Sequence, residues 1–389
     1  MKILVVISAF YPCVAYGGPS SVAQSHVTQL VATGHDVTVL TSNVMSINGA
    51  RADFFAPTRG QYRGADVRYF RSGFFLYPTW SLLMSRDLVR WFKSHATEFD
   101  LVHIHFARDW IPIRIAMEAR KLGMPYVLQT HGMLDTRHGI RTLVDALVTK
   151  RILRDAQTVL ALQDVENDLL VALSPKAHVT ILPNGIPVSH EGIRSRRKQT
   201  SPHSVLFLAR LHPRKQPLLF VKMAAILEDR GIDAKYRVVG PDCGELPKMK
   251  DLVTKLGLTR RFTFVGELSG EDITNEYLRA SAYVLPSVNE PFGLTVLEAL
   301  SFETPTVITT GVQIHSMLKD AKAALVVPDE PERLADAVMD ILLDEELGES
   351  LGAHGSSLIA SELNIASVVR KLTDIYEKCV ARKNLCRYS

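Results

Sequence analysis

The fold of this chain is decided by residues 282–300, which read AYVLPSVNEPFGLTVLEAL. The apolar run at 282–285 ends at Pro286 and Ser287, which predicts a buried strand followed by a loop. Residues 294–300 have the composition and spacing of the first turns of a helix. Glu290 is therefore expected in the loop at the carboxyl end of a strand, and Glu298, eight residues later, is expected within the helix.

The predicted position of Glu290 favours a ligand site. In an open α/β sheet, ligands bind in the crevice outside the carboxyl ends of the strands. The start of the next helix adds unpaired N–H groups and a positive dipole end, which suit a phosphate or the oxygens of a sugar. The alternative is an ordinary loop carboxylate followed by an unrelated carboxylate on a surface helix.

The composition is that of a globular protein with two domains. The chain has 389 residues, of which 47% are hydrophobic and 22% are charged, and domains of about 190 residues fit this length. A net charge of +4 predicts affinity for anionic ligands or anionic lipid surfaces and does not indicate a nucleic-acid binder. The four cysteines are scattered, which favours a reducing cytoplasm over a disulfide framework or a zinc site.

The amino-terminal residues could be mistaken for a targeting signal. The apolar run at residues 3–7 is short and leads into Tyr11-Pro12 and then Gly17-Gly18. We interpret it as a first β-strand that enters a glycine loop. No apolar run reaches the roughly 18 residues that a membrane-spanning helix needs.

The chain alternates strand-like and helix-like segments in two successive series, which predicts an α/β protein with two Rossmann-like, doubly wound domains. In the first half, strands are predicted at residues 3–7, 37–40, 101–104, 126–129, 159–161 and 179–182, and helices at 22–33, 83–94, 113–122 and 143–156. In the second half, strands are predicted at 204–208, 235–239, 262–265, 282–285, 306–308 and 324–326, and helices at 218–230, 246–256, 271–280, 294–300, 331–342 and 365–378.

The predicted domain limits follow from the punctuation between the two series. The turn Pro183-Asn184-Gly185 is expected to use the positive φ that Asn-Gly readily adopts. The polar, basic stretch after it is interpreted as a linker. We therefore predict a first domain at 1–190, a linker at 191–203, a second domain at 204–364, and a carboxyl-terminal helix and tail at 365–389 that packs on the first domain.

Two further segments carry candidate site residues. Gly17-Gly18 lies between the first strand and a helix expected to start near Ser20, where Ser20 or Ser21 would cap the helix. The spacing is not the G-x-G-x-x-G of dinucleotide-binding proteins. Arg210 and Lys215 follow the first strand of the second half, where they are either site residues or part of a basic surface loop.

Together these motifs resemble the retaining GT-B glycosyltransferases, family 4 in particular. The strand–Glu–x7–Glu–helix segment resembles the family's donor site, and residues 209–217 resemble its G-R-x-x-x-x-K-G segment, with Ala209 in place of the first Gly and Gln216-Pro217 in place of the second. The resemblance implies two domains that face each other across a cleft, with the acceptor bound mainly by the first and the donor by the second.

The resemblance also implies roles for individual residues. Arg210 and Lys215 would neutralise the donor diphosphate, Glu290 would hold hydroxyls of the sugar, Glu298 would hold the ribose, and His131 would approach the sugar and the acceptor. Further donor contacts are implied at the two glycine loops, at the segment that receives the nucleobase, and around the start of the helix: Gly17, Gly18, Gly240, Leu268, Phe292, Gly293 and Leu294.

The implied reaction moves a hexosyl group from a UDP- or GDP-linked sugar to a hydroxyl acceptor, with retention and without a metal or other cofactor. The D-x-D pair that holds a cation in metal-dependent transferases is absent from the sequence. A glycan, a lipid-linked glycan or a small natural product would be the acceptor, in polysaccharide, glycolipid or natural-product biosynthesis. The alternatives are a UDP-sugar epimerase of the same fold and a non-catalytic nucleotide-sugar-binding protein.

A basic and aromatic segment predicts where the protein acts. Residues 51–71 contain five arginines against two aspartates, with Phe54-Phe55 within the stretch and Phe74-Phe75-Leu76-Tyr77 beside it. Such a surface suits an anionic membrane or an anionic lipid-linked acceptor. We therefore predict a cytoplasmic protein that contacts the inner face of the membrane peripherally. The alternative is an ordinary excursion between strands whose aromatic residues complete the core.

Overall fold

The computed structural model describes residues 1–13, 16–48, 51–75, 78–134, 148–188 and 202–386. The chain divides into two compact units, Met1–Gly185 with Ile365–Ser389 and Ile186–Asn364. The predicted linker at 191–203 and the start of the helix predicted at 143–156 lie mainly outside the described residues.

Unit 1 is built on a sheet of eight strands in the order β12-β11-β10-β9-β1-β2-β6-β5, in which every neighbouring pair except β5 and β6 is parallel. The strands are β1 (Lys2–Val6), β2 (Asp36–Ser42), β3 (Val44–Asn48), β4 (Arg51–Phe54), β5 (Thr58–Tyr62), β6 (Ala65–Phe70), β7 (Gly73–Phe74), β8 (Leu83–Met84), β9 (Leu101–His105), β10 (Tyr126–Gln129), β11 (Thr158–Ala161) and β12 (Val179–Ile181). The helices are α1 (Gly18–Ala32), α2 (Arg86–His95), α3 (Trp110–Lys121), α4 (Lys150–Asp155) and α5 (Asp164–Leu173).

Unit 2 contains a fully parallel sheet of six strands in the order β15-β14-β13-β16-β17-β18. Its strands are β13 (His203–Leu208), β14 (Ala234–Val239), β15 (Phe262–Gly266), β16 (Ala282–Leu285), β17 (Thr306–Thr309) and β18 (Leu325–Val327). Its helices are α6 (Pro217–Asp229), α7 (Leu246–Lys255), α8 (Glu271–Arg279), α9 (Leu294–Ser301), α10 (His315–Asp320), α11 (Pro331–Leu343) and α12 (Glu345–Leu358), and a last helix, α13 (Ile365–Cys386), returns to unit 1.

The central strands are buried on both faces, because helices cover both sides of each sheet. Strands β1, β9, β10, β16 and β17 consist almost entirely of buried side chains, as expected for parallel sheets. This explains why their apolar runs could be read from the sequence. The predicted α/β class with two Rossmann-like domains is confirmed.

The carboxyl-terminal helix packs on unit 1, as predicted. Val368, Val369, Leu372 and Tyr376 belong to the buried core of that unit. The hydroxyl of Tyr376 lies 2.6 Å from Nδ1 of His103 on β9. Burial of this apolar face ties the end of the chain to the first sheet.

The expected positive φ at the Pro183-Asn184-Gly185 turn is wrong. Neither Asn184 nor Gly185 has a positive φ. A Cβ atom on Gly185 would instead lie 2.9 Å from the Cγ2 atom of Val368 and 3.0 Å from the Cα atom of Ile365. Glycine is therefore required here because α13 packs directly against the turn.

Two other local predictions are also wrong. Helix α1 begins at Gly18 with Gly17 at its N-cap, so Ser20 lies inside the helix, where its hydroxyl accepts a hydrogen bond from Gln24. The helix predicted at 83–94 begins later, at Arg86, because Ser85 caps it and accepts a hydrogen bond from the N–H of Leu88. Leu83 belongs instead to the short hairpin of β7 and β8.

Candidate active site

The sheet topology of unit 2 brings the predicted donor residues to one point. The strand order reverses between β13 and β16, so the loops after these two strands leave the carboxyl edge of the sheet in opposite directions. Ligands of doubly wound sheets bind at this switch point. Arg210 and Lys215 follow β13, and Glu290 follows β16. The N–H of Val288 donates to the carbonyl of Arg214 at 2.8 Å, which joins the two loops directly.

Glu290 is the centre of a buried charge cluster. Its side chain is 11% exposed, and its Oε2 atom lies 2.7 Å from Nζ of Lys215 and 3.2 Å from Nη2 of Arg214. Burial alone would raise the pKa of Glu290, but Lys215 and Arg214 outweigh it and hold that pKa below its usual value. The carboxylate is thus ionised and oriented by two cations.

The cations differ from the prediction in one respect. Lys215, one of the two predicted cations, contacts Glu290, and its side chain is 13% exposed. Arg214, which the sequence analysis did not single out, is the second cation on Glu290. Arg210 is exposed and follows β13. Burial lowers the pKa of His212, and the nearby charge of Arg210 lowers it further. Arg214 directly precedes Lys215, so the Arg-x-x-x-Arg-Lys spacing of residues 210–215 could have indicated it as a second cation of the site.

Glu298 lies on α9 and is positioned by a buried tyrosine. The hydroxyl of Tyr277 donates to Oε2 of Glu298 at 2.8 Å and also reaches the carbonyl of Thr295 at 3.2 Å. Burial raises the pKa of Glu298, and the hydrogen bond from Tyr277 opposes that effect. Tyr277 was missed because nothing in the spacing of α8 distinguishes it from a core residue.

The loop before α9 is held by backbone hydrogen bonds. Gly293 is the N-cap with φ 76°, and the side chain of Phe292 is buried. The N–H of Glu290 donates to the carbonyl of Gly311 at 2.9 Å, and the N–H of Gln313 donates to the carbonyl of Glu290 at 2.8 Å. The loop is therefore fixed by backbone bonds while Leu294 begins the helix.

The other predicted donor positions lie at the same edge of the sheet. Gly240 follows β14 with φ 135°, and a Cβ atom there would lie 2.1 Å from the carbonyl oxygen of Ala209. This close approach gives the glycine a packing role. Leu268 follows β15 and is half-buried. The donor contacts predicted for both residues remain predictions.

The predicted site residue of unit 1, His131, is held by a second histidine. His131 follows β10 with φ 54°, and its Nε2 lies 2.8 Å from Nδ1 of His105 at the end of β9. The two rings stack with 5.0 Å between centroids. Burial lowers the pKa of His131 to about 3, with a smaller contribution from His26. The imidazole is therefore neutral near pH 7, and the contact couples the tautomers of the two rings, since one of the two facing nitrogens carries the proton and the other accepts it.

A buried carboxylate from α5 clamps the loop that carries His131. Glu166 accepts hydrogen bonds at 2.5 Å from the hydroxyl of Thr130 and the N–H of Gly132, and at 2.7 Å from the N–H of Leu162. Burial raises the pKa of Glu166, and these three donors oppose that effect. Glu166 could not be recognised in the sequence, because an acidic residue in the first turn of a helix usually interacts with the dipole of that helix. Asp135, four residues after His131, lies outside the described residues.

Gly17 lies between β1 and α1, and Gly18 is the first residue of α1, at the corresponding switch point of unit 1. The strand order there reverses between β1 and β9. Gly17 has φ 78°, and its carbonyl accepts hydrogen bonds from the N–H groups of Ser20 and Ser21 at 3.0 and 3.3 Å. Only glycine adopts this conformation without strain.

The chain matches two family models that between them cover most of its length. The model described as a glycosyl transferase 4-like domain matches residues 17–185, and the model described as glycosyl transferases group 1 matches residues 189–357. The chain belongs to the GT-B glycosyltransferases of family 4. The predicted family is thereby confirmed.

Curated relatives and solved structures agree with this assignment. D-inositol 3-phosphate glycosyltransferase of Corynebacterium glutamicum is 25% identical over 79% of each chain. Alpha-D-kanosaminyltransferase of Streptomyces kanamyceticus is 30% identical over 45% of each chain. Anabaena HepE in complex with UDP has a TM-score of 0.75 at 17% identity, covering 97% of this chain and 100% of its own. Sucrose-phosphate synthase of Thermosynechococcus elongatus has a TM-score of 0.74 at 19% identity, covering 98% and 99%.

The basic segment of this glycosyltransferase is partly neutralised by internal contacts. Asp66 pairs with Arg59 at 2.7 Å and with Arg68 at 3.1 Å, and Arg68 also lies over the ring of Trp91. Phe54 is 41% exposed. Leu76 and Tyr77 lie outside the described residues. Among the residues that the structure describes, none of the helices is long and apolar enough to cross a membrane.

Proposed function

We propose that this glycosyltransferase moves a hexosyl group from a UDP- or GDP-linked sugar to a hydroxyl acceptor with retention of configuration and without a metal ion. The acceptor would be a glycan, a lipid-linked glycan or a small natural product in bacterial polysaccharide, glycolipid or natural-product biosynthesis. HepE with bound UDP and UDP-glucose supports a nucleotide-sugar donor, since that protein shares the fold.

One observation carries the proposal: a buried carboxylate and two cations meet at the switch point of the second sheet. Lys215 and Arg214 both reach Glu290, and the start of α9 lies three residues beyond it. A diphosphate needs fixed cations and free N–H groups, and a hexose needs an oriented carboxylate as hydrogen-bond acceptor. All three requirements are met at one edge of the sheet.

The chemistry follows from these groups. Negative charge grows on the diphosphate as the sugar leaves, and Arg210 and Lys215 stabilise it without rearrangement. Glu290 is proposed to hold sugar hydroxyls and not to act as a nucleophile, and its contacts with Lys215 and Arg214 both use Oε2. The acceptor hydroxyl therefore attacks from the face that the diphosphate leaves, and a phosphate oxygen takes the acceptor's proton.

A thermal-shift screen against UDP, GDP, ADP and their common sugar forms tests the donor. A ligand present at 100 times its dissociation constant stabilises the folded protein by about 2.7 kcal/mol. Stabilisation by UDP or GDP and by the matching sugar is expected. Incubating the stabilising nucleotide sugar with no acceptor separates the alternatives, because an epimerase converts the sugar and a transferase does not.

Two variants assign the carboxylates separately. Glu298→Ala is expected to weaken binding of the free nucleotide diphosphate, since the carboxylate proposed to accept charge-assisted hydrogen bonds from the ribose hydroxyls is lost. Glu290→Gln is expected to lower turnover and sugar-dependent affinity while the free diphosphate binds nearly as before. Reversed effects of the two variants would show that the roles are exchanged.

Retention and metal independence are tested on the product. NMR coupling constants should show the same anomeric configuration in product and donor, and an inverted product would exclude same-face attack. Turnover should survive excess EDTA. Loss of turnover that Mg²⁺ or Mn²⁺ alone restores would show that a metal shares the work assigned to Arg210 and Lys215.

We further propose that the protein works in the cytoplasm and touches the membrane peripherally. The exposed Phe54 and the exposed arginines at 51, 63 and 71 support the contact. Co-sedimentation with anionic vesicles at low salt, lost at several hundred millimolar salt, is the expected result. Absence of pelleting at low salt would leave a soluble acceptor.

A further inference from the structure

Unit 1 contains a cavity that none of the donor residues uses. It has a volume of about 690 Å³ and is bounded by the β7–β8 hairpin, one face of α2 and the first turns of α3. Small-molecule sites of proteins commonly have volumes of about 300–1,000 Å³. The cavity therefore has the size of a binding site.

The cavity is lined by four cations, and none of the described residues that line it is acidic. Arg86, Arg90 and Lys93 contribute from α2, and Arg114 contributes from α3. The spacing of the three α2 residues places them on one helical face, where like charges three and four residues apart destabilise a helix. An anion bound at this face would reduce the repulsion between the three cations.

Two of the four cations have carboxylate partners, and two do not. Arg90 pairs with Asp87 at 2.7 Å, and Arg114 pairs with Glu118 at 3.2 Å. Within the described part of the chain, Arg86 and Lys93 form no ion pair. A phosphate or carboxylate in the cavity would therefore pair with Arg86 and Lys93.

Apart from Ser85 and Ser94, the remaining wall is apolar, and two of its aromatic side chains are exposed. Phe75 is 66% exposed and Trp110 is 44% exposed, and Met84 and Val89 line the cavity beside them. Large aromatic side chains that stay in contact with water favour a ligand that covers them. The combination of apolar wall and uncompensated cations selects a molecule with both kinds of surface.

The cavity also lies at the sheet edge where the predicted acceptor chemistry takes place. Helix α3 begins at Trp110, five residues after His105, the last residue of β9. His105 is the residue that holds His131 at 2.8 Å. The first turn of α3 and the loop of His131 therefore emerge from neighbouring parallel strands at the same edge.

From these observations we infer that the cavity binds the non-reacting part of an amphipathic acceptor, namely an anionic group attached to an apolar chain or ring. The phosphate or carboxylate lies between Arg86 and Lys93, and the apolar part covers Phe75 and Trp110. This inference rests on the proposed function and places acceptor recognition at α2 and α3, away from the basic segment 51–71.

Trp110 provides a direct measurement of binding that needs no donor and no turnover. The probe is decyl phosphate below its micelle concentration, titrated against the full chain while tryptophan fluorescence is recorded. A saturable change is expected, and Trp110→Phe should abolish it. Inorganic phosphate and the neutral decyl glucoside, each carrying half of the recognised chemistry, should bind at least about tenfold more weakly.

Two double variants with the same loss of charge locate the anion. Arg86→Ala with Lys93→Ala should weaken decyl phosphate binding by about 10- to 100-fold, since two charge-assisted contacts are lost. Arg51→Ala with Arg71→Ala, on the basic segment, should leave binding unchanged. All these side chains are exposed, so the variants are expected to fold, and an unchanged thermal shift with the donor nucleotide checks this.

The outcomes separate this inference from the proposed function. Absence of a saturable fluorescence change, or equal binding by the Arg86/Lys93 variant, overturns the inference even if UDP or GDP stabilises the protein. Pelleting with anionic phospholipid vesicles that requires Arg86 and Lys93, without binding of monomeric decyl phosphate, identifies a membrane-contact surface and also overturns it. Absence of any nucleotide-dependent stabilisation bears on the proposed function alone.

Discussion

The four buried histidines of unit 1 predict that this unit loses stability between pH 7 and pH 5. His26, His103, His105 and His131 are each at most 6% exposed, and neighbouring rings lie 4.6–6.4 Å apart. Burial lowers the pKa of all four, to about 4 for His26 and about 3 for His131. All four are therefore neutral in the folded protein at pH 5.

The sign and size of the effect follow from proton linkage. Unfolded histidines have a pKa of about 6.5, so the unfolded state takes up protons below that pH while the folded state does not. The stabilisation is present above pH 6.5 and is lost as the pH falls toward the folded pKa. His26 and His131 each contribute about 2 kcal/mol between pH 7 and pH 5, which is about 4 kcal/mol together.

The substitution His26→Leu isolates one member of the cluster. Neither ring nitrogen of His26 has a hydrogen-bond partner in the described part of the chain, and leucine has a similar volume and a high helix propensity. We expect stability at pH 7 that is unchanged or higher, and a loss between pH 7 and pH 5 that is smaller by about 2 kcal/mol.

Urea unfolding at pH 7, 6 and 5 measures this loss in unit 1 alone. The three tryptophans of the chain, Trp80, Trp91 and Trp110, lie within that unit, so their fluorescence reports its unfolding. His354→Gln, a change at an exposed position of unit 2, serves as the control. Equal pH dependence in the wild type and His26→Leu would refute the reasoning, because the cluster would then be protonated or hydrated in the folded state.

Three further predictions concern the catalytic machinery. Lys215→Met should lower turnover by roughly 10²–10³, whereas Lys235→Met, at an exposed lysine of the same unit, should leave steady-state kinetics unchanged. Tyr277→Phe should weaken nucleotide binding by about tenfold in a calorimetric titration, since Glu298 loses the hydrogen bond that orients it. Glu166→Gln should lower kcat with little change in the nucleotide-induced thermal shift, because it loosens a loop of unit 1; a loss of nucleotide binding would contradict this.

The sequence was sufficient for the parts of the fold that depend on burial. Strands β10 and β16 were predicted to the residue, because strands covered on both faces are continuous apolar runs. The hairpins of residues 44–74 were missed, since their side chains are mixed and largely exposed and leave no clear period. Strands β6 and β5 extend the edge of the eight-stranded sheet beyond β2, whereas β3 and β4 form a separate two-stranded sheet.

Backbone conformation was predicted less well than burial. Gly185 was assigned a positive φ, whereas it is required by the approach of α13, an element 180 residues further along the chain. Gln216 shows the reverse case. It replaces the family's glycine after Lys215 and still adopts the left-handed conformation that glycine favours, with φ 48°. The backbone of this loop is therefore kept although the residue differs.

The site residues that the sequence did not reveal act through other residues. Glu166, Tyr277 and His105 contact a loop, a carboxylate and an imidazole that the motifs had already identified. Their partners lie between 21 and 34 positions away in the chain, so the pairings arise only when strands and helices pack. A motif reports the residues that a ligand touches, and the residues that hold them in place leave no fixed spacing.

The buried cluster at Glu290 limits how far single residues can be given separate roles. Lys215 neutralises Glu290 at 2.7 Å and is also the cation expected to meet the donor diphosphate. Removing Lys215 leaves a buried carboxylate with only Arg214, whose side chain is 48% exposed, and an uncompensated buried charge costs several kcal/mol. Glu290 would then be protonated or displaced, and its proposed contact with the sugar would change as well. Under the proposed function, the lysine and the glutamate would therefore act as one unit that links the charge of the leaving group to the orientation of the sugar.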